Sequence, residues 1–148
     1  MNQQSWQPID DRIAASIETH GQFLMAVMPD PQDGTPAFVY TIGNASRGLP
    51  ELLLVGNFRP DDCGMILNCL GDIMREAGQP LEGEVSVGGT FPVRCRWAGP
   101  DARRDYTCHA GRWLGHDEYA VTQVLFCDRE GRFPGDPGFD PAFTVPLV

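Results

Sequence analysis

Apolar positions along the chain fall into several short runs and one long helical stripe. Ile9, Ile13, Ala14 and Ile17 share a helix face and predict a short helix over residues 9–19. Asp10 and Asp11 lie in its first turn, and His20 with Gly21 supplies the stop. Residues 23–27 form a continuous apolar run that predicts a buried strand. Residues 29–36, with three prolines, read as an exposed turn. Residues 38–42 are aromatic and β-branched, so they predict the second strand of a hairpin. Residues 52–55 predict a central strand. Pro60 opens the strongest helix, in which Cys63, Ile66, Leu67, Leu70, Ile73, Met74 and Ala77 recur at three and four. Asn68, Asp72, Arg75 and Glu76 take its solvent side.

Beyond that helix, residues 84–87 predict a short strand. Phe91, Val93, Cys95 and Trp97 alternate with Pro92, Arg94 and Arg96, the period of a half-buried strand. Residues 119–126 predict the last strand. The tail from residue 128 to 146 carries Phe133, Phe139 and Phe143 and predicts an ordered loop pinned to the body. The expected fold is a single α+β domain over residues 1–148. Its sheet is mostly antiparallel and strongly curled, covered by the long helix and the short N-terminal one. Three strands, a helix and three strands is also the order of flavin-reductase-like split barrels, so closure into a small split barrel belongs to this expectation.

Charge narrows the partners. The 148 residues hold 20 acidic side chains against 11 arginines, a formal charge of −9, and no lysine. A dense cationic surface for nucleic acid or an anionic membrane is missing. Schiff-base chemistry and a P-loop ammonium go with the lysines. The polar start and the short apolar runs predict neither a secretory signal nor a membrane span. Five cysteines at wide spacing, without a CxxC, fit reduced thiols in a cytoplasm.

No GxGxxG, HExxH or GxSxG string is present. The densest polar stretch, residues 108–118, offers Cys108, His109, His116 and Asp117 as metal ligands. The reading preferred for it is a polar turn anchored by Trp113. His20, at a helix C-terminus, suits an acid–base group, a phosphate contact or a simple cap. Tyr40, Thr41 and Asn44 stand where a strand ends, a common place for ligand contacts. Glu51, at the mouth of an apolar strand, needs a partner, with Arg47 or Arg59 as candidates. Arg132 offers a planar donor fork, and Glu51 is its expected carboxylate. Together His20, Tyr40, Thr41, Asn44, Glu51 and Arg132 make the candidate pocket.

Several strings carry a resemblance. They are His20-Gly21, the run from Pro36 through Tyr40-Thr41-Ile42-Gly43, and Leu49-Pro50-Glu51-Leu52. The tail adds Asp128, Gly131-Arg132-Phe133-Pro134 and Asp136-Pro137-Gly138-Phe139. Together they resemble the bacterial family of uncharacterised proteins catalogued as domain of unknown function 4262. Asn44 and Gly135 depart from it, since members more often have leucine and tryptophan there. The resemblance implies no activity or cofactor. The leading expectation is therefore a cytoplasmic binding or accessory protein for a small molecule or a protein partner, with a homodimer allowed. One alternative is an FMN-dependent oxidoreductase on a split barrel, with Tyr40, Thr41 and Asn44 on the flavin and Arg47 or Arg59 near its phosphate. The other is metal-assisted hydrolysis through the 108–117 stretch.

Overall fold

The computed structural model describes residues 3–148. Helix α1 (Gln3–His20) leads into strands β1 (Phe23–Val27), β2 (Phe38–Ile42) and β3 (Glu51–Val55). Helix α2 (Pro60–Ala77) follows, then β4 (Gly83–Val85) and β5 (Val93–Trp97). Two short helices, α3 (Ala102–Asp105) and α4 (Cys108–Leu114), precede β6 (Val121–Leu125). Single 3₁₀ turns occupy Ala45–Arg47 and Pro141–Phe143.

The six strands form one mixed sheet in the order β1-β2-β3-β6-β5-β4. All neighbours are antiparallel except β3 and β6, which pair in parallel with Glu51 opposite Val121. The order corrects the expected curled, split-barrel-like sheet. It is open, with β1 at one edge and β4 at the other. The physical reason lies in its faces. A barrel hides one face of each strand inside itself, whereas here helices cover both faces. Phe38, Tyr40, Ile42, Leu53, Val55 and Val121 pack with Ile13 of α1, Ala102 of α3 and Ala110 of α4. Val39, Leu52, Leu54 and Val124 pack on the other side with Cys63, Leu67, Leu70 and Met74 of α2. Strands β2, β3 and β6 are accordingly buried at every position. The near-continuous apolar runs of β2 and β3 are the sequence form of a sheet covered on both sides, whereas β6 also buries Thr122 and Gln123.

Helix α1 begins at Gln3, upstream of the expected start, and contains Pro8. The extra turns bring Trp6 onto the His109 ring, with centroids 5.2 Å apart, and under the Arg112 guanidinium at 4.1 Å. Residues 102–105 and 108–114 are helical where a polar link and turn were expected. Helices this short show little periodicity, and only Ala102 and Ala110 are buried in them. No helix among the described residues is long and apolar enough to cross a membrane.

Candidate functional site

Glu51 opens β3 and is 1% exposed. Its Oε1 accepts from Thr41 Oγ1 (2.8 Å) and the Asn44 N–H (3.2 Å). Its Oε2 accepts from the N–H groups of Gly43 and Ala45, each at 3.0 Å. Three consecutive backbone donors and a hydroxyl thus form a small anion nest, filled by the protein's own carboxylate. Thr41 Oγ1 also accepts from the Leu52 N–H (2.9 Å) and Asn44 Nδ2 (3.2 Å). Both its lone pairs are used, so its proton goes to Glu51 and the carboxyl accepts at every contact. Burial pushes the Glu51 carboxyl above its ordinary 4.5, while the same four donors pull the other way.

The nest continues toward the surface. Asn44 Nδ2 donates to Gln22 Oε1 (2.9 Å). Arg75 of α2 donates through Nη1 to Gln22 Oε1 (2.7 Å) and Asn44 Oδ1 (2.8 Å). Its Nη2 reaches the His20 carbonyl (3.2 Å) and Asp72 Oδ1 (2.9 Å). Gln22 Nε2 donates to the Leu67 carbonyl (3.0 Å) and Asn68 Oδ1 (3.1 Å). Helix and sheet meet closely enough for this only because position 71 is glycine. A Cβ there would lie 2.2 Å from Gln22 Oε1 and 2.8 Å from Arg75 Nη1. Gly21 adopts φ +91°, donates its N–H to the Ile17 carbonyl and turns the chain from α1 into β1 beneath Arg75.

Against this network lies a cleft of about 600 Å³ between the end of α1, the start of β1 and α2. Ser16, Thr19 and His20 form one wall and Asn68 and Asp72 the other, over Gln22, Phe23 and Leu24. Ser16 Oγ donates to the Gln22 carbonyl (2.7 Å). The groups turned to solvent are the Thr19 hydroxyl, the His20 imidazole, the Asn68 amide and the Asp72 carboxylate, all on exposed residues. Arg75 is only 9% exposed at its side chain and already spent on four acceptors, so the cleft offers more acceptor than cationic character.

Of the residues expected in one pocket, Thr41, Asn44 and Glu51 come together directly, and His20 joins through its carbonyl and the cleft wall. Tyr40 does not. It alternates onto the opposite face of β2, is fully buried, and accepts the His109 N–H at 3.3 Å, with burial pushing its phenol well up. Arg132 does not join either, which corrects the expected pair with Glu51. Its Nε donates to Asp128 Oδ2 at 3.2 Å. Asp128 also accepts the N–H groups of Glu130, Arg132 and Asp140. A carboxylate four residues back closes this loop locally, leaving no role for a distant one. In the tail Phe133 is pinned to the body, 1% exposed with Arg94 stacked over its ring at 4.3 Å, whereas Phe139 and Phe143 are only partly covered. Neither Arg47 nor Arg59 donates to Glu51; Arg59 lies 4.0 Å from Asp62.

The two alternative chemistries lose their premises in geometry. Tyr40, Thr41 and Asn44 are each 0% exposed, so none can meet a flavin, and the sheet is not a split barrel. Cys108 is exposed, the His109 ring packs on Trp6, and His116 Nδ1 accepts the Glu118 N–H at 3.0 Å. Among the described residues, no three His, Cys, Asp or Glu side chains gather to hold a metal ion, so Cys108, His109, His116 and Asp117 do not form the centre that the second alternative needs.

Gln22, Asn68, Asp72 and Arg75 were missed as site residues. A signal for them exists. Gly64 and Gly71 interrupt the best helix of the chain at a cost in propensity, which marks close approach, and 68, 72 and 75 form one polar stripe beside the apolar one. No curated protein and no solved structure matches the chain. Residues 16–140, which contain the cleft, the nest and the Asp128 loop, match the family model described as Domain of unknown function (DUF4262), and the chain belongs to that family.

Proposed function

We propose that this chain is a cytoplasmic binding protein that takes a small polar molecule, neutral or cationic, in the cleft beside His20. The observation that carries this reading is the cleft itself. Thr19, His20, Asn68 and Asp72 turn polar groups outward over a floor whose own hydrogen bonds are satisfied. A preorganised floor lowers the cost of ordering a site when a ligand arrives. Asp72 shares its charge with Arg75 through Oδ1 and leaves Oδ2 as an acceptor on the wall, which suits an amine or amidine better than a phosphate. Glu51 supports the reading by what it does not offer. With four donors on two oxygens, it has no lone pair left for substrate, and its work is to hold residues 43–45 in place. Five free thiols agree with a reducing compartment.

Native mass spectrometry of the protein mixed with a small-molecule extract of bacterial cytosol tests the proposal. A discrete adduct on the wild-type chain is expected, lost in Asp72→Ala and in His20→Ala. Equal adducts on all three proteins, or none on the wild type, would refute it.

A further inference from the structure

A buried glutamine interrupts β6. Gln123 is 0% exposed and stands opposite Arg96 of β5. Both lie on the face of the sheet away from α2, because Val93, Cys95 and Val124 take the α2 side of these strands. A buried amide is costly unless its donors and acceptor are used. Here they are used on the main chain of the tail. Gln123 Nε2 donates to the Pro146 carbonyl (2.7 Å), and its Oε1 accepts the Val148 N–H (3.0 Å). Arg96 Nη1 donates to Gln123 Oε1 (2.8 Å) and to the Val148 carbonyl (2.7 Å). Two side chains thus read three main-chain groups, while Leu147 between them stays 54% exposed and Val148 packs on the apolar cluster shared with α1, α3 and α4. Among the described residues, the main chain beyond Thr144 makes hydrogen bonds only with Gln123 and Arg96. Those two side chains lie inside the stretch 16–140 that matches the family model, and the segment they hold lies outside it.

We infer that Gln123 and Arg96 form a recognition site for the main chain of an extended peptide, and that residues 144–148 are a strap that fills it in cis and gives way to such a peptide. The chemistry sets the class of partner. An amide that donates to one carbonyl and accepts the N–H two residues on takes any extended chain without proline at the second of those positions. Arg96 adds a charged donor, the stronger kind, to the carbonyl of that same residue. Selectivity falls to the side chain in the Val148 position, which must be apolar and compact to pack on the core as Val148 does. The site crosses β5 and β6, whereas the cleft beside His20 lies at β1, the far edge of the sheet from β5, so the two are independent. The strap competes as an intramolecular ligand at high effective concentration. Closed about nine-tenths of the time, it weakens a peptide in trans about tenfold.

The probe is a fluorescein-labelled peptide, Phe-Thr-Val-Pro-Leu-Val, the chain's own sequence from Phe143 to Val148, with its affinity for the full chain read by fluorescence anisotropy. Val148→Pro in the protein removes the N–H that locks the strap and leaves the groove intact. This variant should bind the probe about tenfold more tightly than the wild type, or better. Adding Arg96→Ala should abolish that gain. A probe ending in proline should lose it as well, and takes the place of Arg96→Ala should that variant fail to fold. Amide hydrogen exchange needs no substitution. In the wild type the Val148 N–H should exchange by local opening, far faster than the amides of β6 and with little dependence on urea. Equal affinity of the wild type and Val148→Pro for the probe, a gain that survives Arg96→Ala or the proline-ended probe, or a Val148 N–H that exchanges only as slowly as β6 would each overturn the inference.

Discussion

Replacing Gly71 by alanine asks how rigid the polar joint between α2 and the sheet is. In an isolated helix the change would stabilise by about 1 kcal/mol. Here the new methyl would sit 2.2 Å from Gln22 Oε1 and 2.7 Å from Gln22 Cδ, so the amide must leave. That amide makes four hydrogen bonds, to Leu67, Asn68, Asn44 and Arg75, in a setting where Gln22 is 2% exposed. Each buried group left without a partner costs about 1–3 kcal/mol. If relaxation saves half of them, two losses remain, about 2–6 kcal/mol, and the helix gain offsets about 1. The net is a destabilisation of about 1–5 kcal/mol, or roughly 2–4 °C of Tm for each kcal/mol in a chain of this size. Urea unfolding at neutral pH measures it. Gly64→Ala is the internal control, because its Cβ would meet only the end of Leu24, Cδ1 at 3.3 Å. It should be neutral or stabilising by up to about 1 kcal/mol. Gln22→Ala added to Gly71→Ala should cost far less than Gln22→Ala alone. A Gly71→Ala protein as stable as Gly64→Ala would refute the rigid joint.

Glu51→Gln keeps shape but turns an amide NH₂ toward backbone donors, and should cost about 2–5 kcal/mol by urea unfolding; no loss would mean the nest does not need an anion. Carbon-detected NMR should find the Glu51 carboxyl titrating above 4.5 in the folded chain, a contribution to stability present below 4.5 and lost as pH rises through the folded value. Asp128 runs the other way. Burial pushes it up, but the N–H groups of Arg132, Asp140 and Glu130 and the Arg132 guanidinium outweigh that and bring it from 3.8 to about 2. Its contribution is therefore full above pH 4 and lost as pH falls through about 2, so Asp128→Asn should flatten that part of the acid unfolding curve. Thiol labelling of the native protein should begin at exposed Cys108, while Cys95, buried and pushed up to about 11, and buried Cys63 should react only on unfolding.

Most strands and the long helix were legible because their signals are local. Residues 38–42 and 60–77 carry period, caps and breakers within their own span, and the structure places β2 and α2 on those same residues. Sheet closure was not legible, because continuous apolar runs report burial on both faces without saying what covers them. A barrel and an open sheet between helices differ only in where α1, α3 and α4 go. The partner of Glu51 was misjudged for a related reason. A buried carboxylate suggests a guanidinium, but main-chain N–H groups carry no letter in the sequence, and three of its four donors are of that kind. The Arg75 joint lay hidden because a stripe of Asn68, Asp72 and Arg75 reads the same whether it faces water or a neighbouring amide.

The parallel pairing of β3 with β6 bears on how the protein is made. Glu51 must wait for Val121, and the chain between them includes α2, β4, β5 and two short helices. Closing so long a loop is entropically slow, and rates fall as contacts become more distant in sequence. On the ribosome, β1, β2, β3 and α2 emerge first and can assemble, leaving one flank of β3, apolar from Leu52 to Val55, without its neighbour. That nascent half-sheet is the species most open to misassociation, and it persists until β6 has left the ribosome and paired with β3. Slower synthesis of the stretch after α2 would lengthen its exposure, so synonymous codon choice there should alter soluble yield without changing a single contact in the finished fold.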